Sequence, residues 1–230
     1  IEDLRSSISP SNVPCASHNS ADGTGARCWH ASPASLANPS TGNVGCIVRG
    51  VMFDASSARS HAVKTSQDYS LVENCMVNSG LEAFNNYGNI FRNNVIIGGD
   101  AWGSSLLAKG GARNFSAYNN RVHIRSVWGK GIILGGSTGN QWLYDPQSGV
   151  EAYNSVAYNN VIISESGGTA SSIGMMGGKD SAIFNNVVMG GNLILSPGYS
   201  GTPSINPTIK NNIFTCLAGN VLGQWTSSGT

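Results

Sequence analysis

The chain has 230 residues, among them 30 Gly and 25 Asn; only 11% are charged and the formal net charge is +1. Near-neutrality argues against a nucleic-acid binder, which would present a basic face, and no apolar run reaches the length of a membrane-spanning helix. Gly and Asn in this abundance, without an amphipathic helical pattern, argue for many tight turns and stacked strands.

Residues 1–42 are rich in Ser, Pro, Asn and Ala and carry no repeat. They are expected to form an N-terminal cap, because the open end of a stacked array needs covering. Cys15 and Cys28 in this segment are candidates for a disulfide staple. Cys46 and Cys75 fall beside apolar strand positions and are expected as buried free thiols. Low charge, abundant Ser, Thr, Asn and Gly, and that disulfide candidate point to a secreted or cell-surface protein.

From residue 43 to 216 one pattern recurs: a short strand, an Asn-Asn pair and a second short strand, as in A-Y-N-N-R-V-H-I. Taking the second residue of each pair as reference, copies fall at Gly50, Asn74, Asn94, Asn120, Asn160, Asn186 and Asn212, spaced 24, 20, 26, 40, 26 and 26 residues apart. Such a period is the signature of a solenoid. The third residue before the reference is Ile47, Leu71, Phe91, Ala117, Ala157, Ile183 or Ile209, and the second after it is Met52, Met76, Ile96, Val122, Ile162, Val188 or Phe214. Both columns are wholly apolar while the residue between strand and turn varies freely, so each is expected to point into a narrow core. Asn suits the turn because it tolerates the left-handed backbone region and can hydrogen-bond to the Asn of the coil above and below. The reading is an all-β parallel β-helix with an internal Asn ladder.

A third strand should precede each repeat, at residues 60–65, 81–84, 105–111, 131–136, 172–178 and 192–195. Counting back from the reference places Lys64, Phe84, Lys109 and Met176 at one position, so the two lysines should stand on one ladder, two coils and roughly 10 Å apart. Trp102 and Trp128 each follow their reference Asn by eight residues and are each followed by Gly; they are candidates for a stacked sugar platform. The long interval holds a loop after Gly135 bearing Trp142, Tyr144 and Asp145, with Glu151 at its return, expected to overhang the strand of Lys109. Residues 217–230 form a tail too short for a cap, so the last coil is expected to be covered by a partner chain or by further sequence, and self-association through it is left open.

These coils, with K-G-G-A-R-N-F-S-A-Y-N-N, I-L-G-G and Y-D-P-Q-S-G-V-E-A-Y-N, resemble the right-handed β-helix repeat proteins of the pectate-lyase-like superfamily. The resemblance covers about Gly45 to Cys216 and implies a right-handed parallel β-helix of about seven coils. It also implies a polysaccharide partner, since the superfamily includes lyases of pectate, alginate and chondroitin-type chains. Lyases of the chondroitinase B and alginate type use a Lys base and an Arg on neighbouring wall positions; Lys109 and Arg113 are the nearest matches here. The chain departs from the superfamily in several places. The paired aspartates of polygalacturonases are absent, Asp145-Pro146-Gln147-Ser148 echoes only half of the epimerase motif Asp-Pro-His-Glu, and Glu82 and Asp100 are only single candidates for a calcium ligand. Calcium is therefore left open and no metal site is assigned.

Cleavage of a uronan by β-elimination needs a cation to neutralise the uronate carboxylate, so that the adjacent C–H becomes acidic, and a base to remove that proton. Lys109 is the candidate base, with Lys64 or Arg113 pairing the carboxylate and Tyr144 or His123 protonating the leaving oxygen. Trp102, Trp128, Trp142, Asp145 and Glu151 are candidate substrate contacts. Plainer roles compete throughout: solvated cations for the lysines, packing for the tryptophans, loop caps for Asp145 and Glu151, and an inward structural histidine for His61. A lyase on an acidic glycan is the leading expectation, and a non-catalytic adhesin, fibre or glycan-binding module the alternative.

Overall fold

The structure is a computed structural model that describes residues 47–54, 61–98, 103–126, 129–165, 171–215 and 223–225. Among these residues the chain is all-β, with many short strands and a single 3₁₀ turn at Asn140–Trp142. The strands form three seven-stranded sheets and one three-stranded sheet, consistent with a parallel β-helix.

The sheets are built one rung per repeat. The first runs through Ile47–Arg49, Leu71–Glu73, Ile90–Arg92, Ser116–Tyr118, Val156–Tyr158, Ala182–Phe184 and Thr208–Lys210, each pairing in parallel with the next. The second is made the same way from the strand after each turn, from Met52–Asp54 to Ile213–Thr215. The third contains Val63–Thr65, Leu81–Phe84, Ser104–Lys109, Lys130–Gly135, Ser171–Met176, Asn192–Ser196 and Gly223–Trp225, close to the expected third strands. A small fourth sheet, Ala112–Arg113, Ala152–Tyr153 and Gly178–Lys179, makes the corner that follows it.

The Asn pairs divide their labour. The first Asn of each pair takes the left-handed conformation: Asn93, Asn119, Asn159, Asn185 and Asn211 have φ of 53 to 55°. The second points inward and stacks, so that Asn94, Asn120, Asn160, Asn186 and Asn212 form a single file. From Asn94 to Asn186 each Nδ2 in that file donates to the Oδ1 of the next at 2.9 to 3.0 Å. The same Oδ1 atoms accept the backbone N–H of the residue one rung away, and Nδ2 of Asn160 also reaches Ala117 O at 3.0 Å. Buried amides satisfied on every side are a condition for placing Asn in a core at all.

The first two repeats correct the expected frame by one residue. Gly50 and Asn74 occupy the left-handed position, at φ 65 and 53°, and Cys75 takes the ladder position, its N–H donating to Asn94 Oδ1 at 3.0 Å. The inward columns are therefore Val48, Val72, Phe91 and Ala117 in the first sheet and Phe53, Val77, Ile96 and Val122 in the second. Ile47, Met52 and Met76, expected inside, are 63, 56 and 43% exposed. Cys75 is a buried free thiol, while Cys15, Cys28 and Cys46 lie outside the described residues. A second left-handed column at the fourth-sheet corner, Asn114, Asn154, Asp180 and Asn206, is absent from the sequence reading. Asn114, between the strands Ala112–Arg113 and Ser116–Tyr118, is one of its turn residues.

Candidate functional site

Alternation along the third sheet puts Val63, Leu81, Ala83, Leu106 and Ala108 in the core and leaves Lys64, Glu82, Phe84 and Lys109 facing outward. Pairing sets Lys64 beside Glu82, and Phe84 beside Lys109. Lys64 and Phe84 thus do not share a position, and the expected single ladder is corrected to two adjacent columns. The lysines nevertheless meet, because Glu82 stands between them. Lys64 Nζ lies 2.9 Å from Glu82 Oε1, while Lys109 Nζ lies 3.7 Å and His61 Nδ1 2.9 Å from Glu82 Oε2. Lys64 Nζ also sits 4.0 Å from the Phe84 ring centroid, a cation–π contact. His61, expected to face in, instead joins this cluster, with its Nε2 buried and without a hydrogen-bond partner.

The side chain of Glu82 is only 5% exposed. Burial alone pushes its carboxyl upward, but Lys109, His61 and Lys64 together outweigh burial and hold it well below the usual carboxylate range, so Glu82 is an anion here. One carboxylate facing two ammonium groups leaves an excess of positive charge. Lys130, at the start of the next strand, adds to it. Lys130 reaches along the wall until its Nζ is 3.9 Å from Met176 Sδ, and burial, helped by the nearby Lys109, lowers its pKa. Among the described residues no carboxylate lies within ion-pair distance of Lys130. Leu107 and Ile133, in the same outward column as Glu82, are buried, so the wall is covered at that point and is not an open face. Gly136 belongs to it: a Cβ there would come within 3.1 Å of the Lys109 stem.

The other expected residues are placed elsewhere. Arg113 lies past the Gly110–Gly111 corner on the fourth sheet, its guanidinium 3.6 Å from the Tyr144 ring centroid and 5.8 Å from that of Tyr87. Gly111 has φ 84°, and a Cβ on it would strike the backbone and Cβ of Tyr144, so the loop closes over the corner only because that residue is Gly. Tyr144 N–H donates to Gly110 O at 3.1 Å. The loop of residues 136–150 therefore lays Tyr144 on Arg113 instead of over Lys109. Asp145 Oδ1 accepts the N–H groups of Gln147 and Ser148 at 3.1 and 3.2 Å, a loop cap. Glu151 is fully buried and accepts the N–H of Gly110 at 3.1 Å and that of Thr138 at 2.5 Å, which ties both ends of the loop together. Trp142 is 62% exposed on the same loop, whereas Trp102 and Trp128 lie outside the described residues. His123 accepts from Arg121 Nε at 3.0 Å and lies 3.6 Å from Glu165, on the second sheet.

Glu82, the expected calcium candidate, directs both oxygens at cations, and among the described residues no group of three or more His, Cys, Asp or Glu gathers into a metal-binding cluster; Asp100 lies outside the described residues. Comparison of the chain with models of protein families, with curated proteins and with solved structures finds no match.

Proposed function

We propose that the chain is a right-handed parallel β-helix of about seven coils, of the pectate-lyase-like kind, that binds an acidic polysaccharide in the cleft of its third sheet. The observation that carries this reading is the convergence of Lys64, Lys109 and His61 on the buried carboxylate of Glu82. Such an arrangement fixes the ammonium groups in place and leaves positive charge in excess, and a uronate carboxylate supplies the missing negative charge. Phe84 offers an apolar edge to a sugar ring beside those cations. Glycans of this type lie outside cells, which agrees with a secreted or cell-surface location. The test is calorimetric titration with hexasaccharides of galacturonate, alginate and chondroitin type. At least one should bind, with affinity falling as salt rises, and the double substitution Lys64→Ala/Lys109→Ala should abolish binding. Failure of all three to bind, or indifference to the double substitution, would overturn the reading.

Cleavage of that glycan by β-elimination is the second reading, and Lys130 favours it. Lys109 already faces an ionised carboxylate, which fits it to bind an anion, whereas Lys130 has no such partner and a lowered pKa suited to accepting a proton. In this reading Lys64 and Lys109 neutralise the uronate, Lys130 removes the adjacent proton, and the glycosidic C–O bond breaks to leave an unsaturated uronate while the departing oxygen takes a proton from water. Ultraviolet absorbance from that product, lost in Lys130→Ala, is the expected result; a bound glycan that yields no absorbance confines the protein to binding.

A further inference from the structure

The outward face of the fourth-sheet corner carries an aromatic strip that the cleft does not use. Backbone pairing sets Tyr69, Tyr87, Arg113 and Tyr153 on successive rungs, a row about 14 Å long, and Tyr144 of the loop leans onto it. Tyr69, Tyr87 and Tyr144 are 62, 36 and 55% exposed.

The orientation of these rings separates them from the other aromatic column of the molecule. On the first sheet Tyr118, Tyr158 and Phe184 stack face on face, at 4.9 and 5.0 Å and interplanar angles of 13 and 1°. Lys210 stands over Phe184, so the faces of Tyr158 and Phe184 are occupied on both sides, and Arg92 holds the Tyr118 hydroxyl. At the corner the rings meet edge to face, Tyr69 with Tyr87 at 69° and Tyr144 with Tyr153 at 84°, and Tyr69 and Tyr144 stay more than half exposed. They are also held in place. The Tyr69 ring packs over Gly88, where a Cβ would come within 2.8 Å of it; Asp68 accepts the Tyr87 N–H at 2.8 Å; and Arg113 braces Tyr144. Rings fixed in advance lose little entropy when a ligand stacks on them.

Charge decides the ligand. The strip holds one guanidinium, Arg113, already lying on a ring, against the carboxylates of Asp68 and Asp145, so it lacks the cationic excess of the Glu82 cleft. We propose that the strip of Tyr69, Tyr87, Arg113 and Tyr144 is a second carbohydrate-binding surface, selective for an uncharged pyranose chain whose flat faces stack on the exposed rings. It is independent of the acidic-glycan reading, which concerns a different sheet.

The test is calorimetric titration of the whole chain with cellohexaose, mannohexaose and xylohexaose, and with galacturonate hexasaccharide for comparison. At least one neutral chain should bind with Kd below about 1 mM, insensitive to salt, and Tyr69→Ala and Tyr144→Ala should each weaken it about tenfold; both side chains are exposed, so the fold should survive their loss. Absence of binding by all three neutral chains, or binding that both substitutions leave intact, overturns the proposal. Galacturonate binding should survive in Tyr69→Ala; its loss there would overturn the selectivity of the strip for neutral chains.

Discussion

Glu82 and Glu151 are both buried, both belong to the wall around the third sheet, and are held by opposite means. Glu151 is satisfied by backbone N–H groups of Gly110 and Thr138, donors that bring no net charge. Glu82 is held by the side chains of Lys64, Lys109 and His61, which bring more charge than they cancel. A buried carboxylate bound by amides fixes a loop and is complete in itself. One bound by an excess of cations is not complete, because the surplus charge remains available to a ligand. The difference marks Glu151 as an anchor of the loop and Glu82 as the centre of a cation cluster with charge to spare.

The largest expected effect comes from removing the anion of the cleft. Glu82→Ala leaves two half-buried ammonium groups facing each other without a counter-ion and should cost about 3 kcal/mol in chemical denaturation. Sulfate should restore more stability to this variant than to the wild-type protein or to Glu151→Gln, because only here is an anion missing. Equal responses in all three would dissolve the contrast. Glu151→Gln should cost less, about 2 kcal/mol, since one of its two acceptors becomes a donor facing an N–H. Its signature should be local, as faster amide exchange at Gly110, Thr138 and Tyr144.

Acidification tests Glu82 through linkage. Its pKa in the folded chain lies well below the ordinary value of 4.5. The stability it contributes is therefore fully present above that ordinary value, declines as pH falls below it, and is gone once pH passes the folded pKa. The stability difference between wild type and Glu82→Gln should narrow over that acid range; a difference that stays constant down to the acid transition would contradict the ion cluster. The smallest expected effect lies in the ladder. Cys75→Asn should stabilise by about 1 kcal/mol, because Cys75 occupies the ladder position below Asn94 and its thiol already points at Val48 O, 3.7 Å away.

The repeat itself is plain in the sequence, because inward apolar residues and Asn pairs recur with few interruptions from Asn94 to Asn212. It misleads where a pair is incomplete. Gly50-Val51 and Asn74-Cys75 keep the left-handed residue and lose the stacking one, and aligning on the wrong member exposes Met52 and Met76. The left-handed residue is the safer anchor, since its backbone conformation is demanded by the turn, whereas the ladder position accepts Cys. Lys64 is misplaced for a related reason. Repeats differ in length at more than one corner, so counting from a single reference cannot say which corner took the extra residue. Lys64 and Lys109 still emerge as neighbours of one wall, but Glu82, weighed only as a metal ligand, gives no sign in sequence that it gathers them. Arg113 and Tyr144 part from Lys109 because Gly110 and Gly111 turn the chain through a corner that looks like strand in a linear reading.

The most direct test of the cleft is a nuclear magnetic resonance titration that follows the lysine side chains as galacturonate hexasaccharide is added. Lys64, Lys109 and Lys130 should shift together and saturate with one affinity, while Lys179 and Lys210, on the fourth and first sheets, stay in place. Uniform shifts of all five lysines, or shifts confined to Lys179 and Lys210, would contradict an acidic-glycan site built around Glu82.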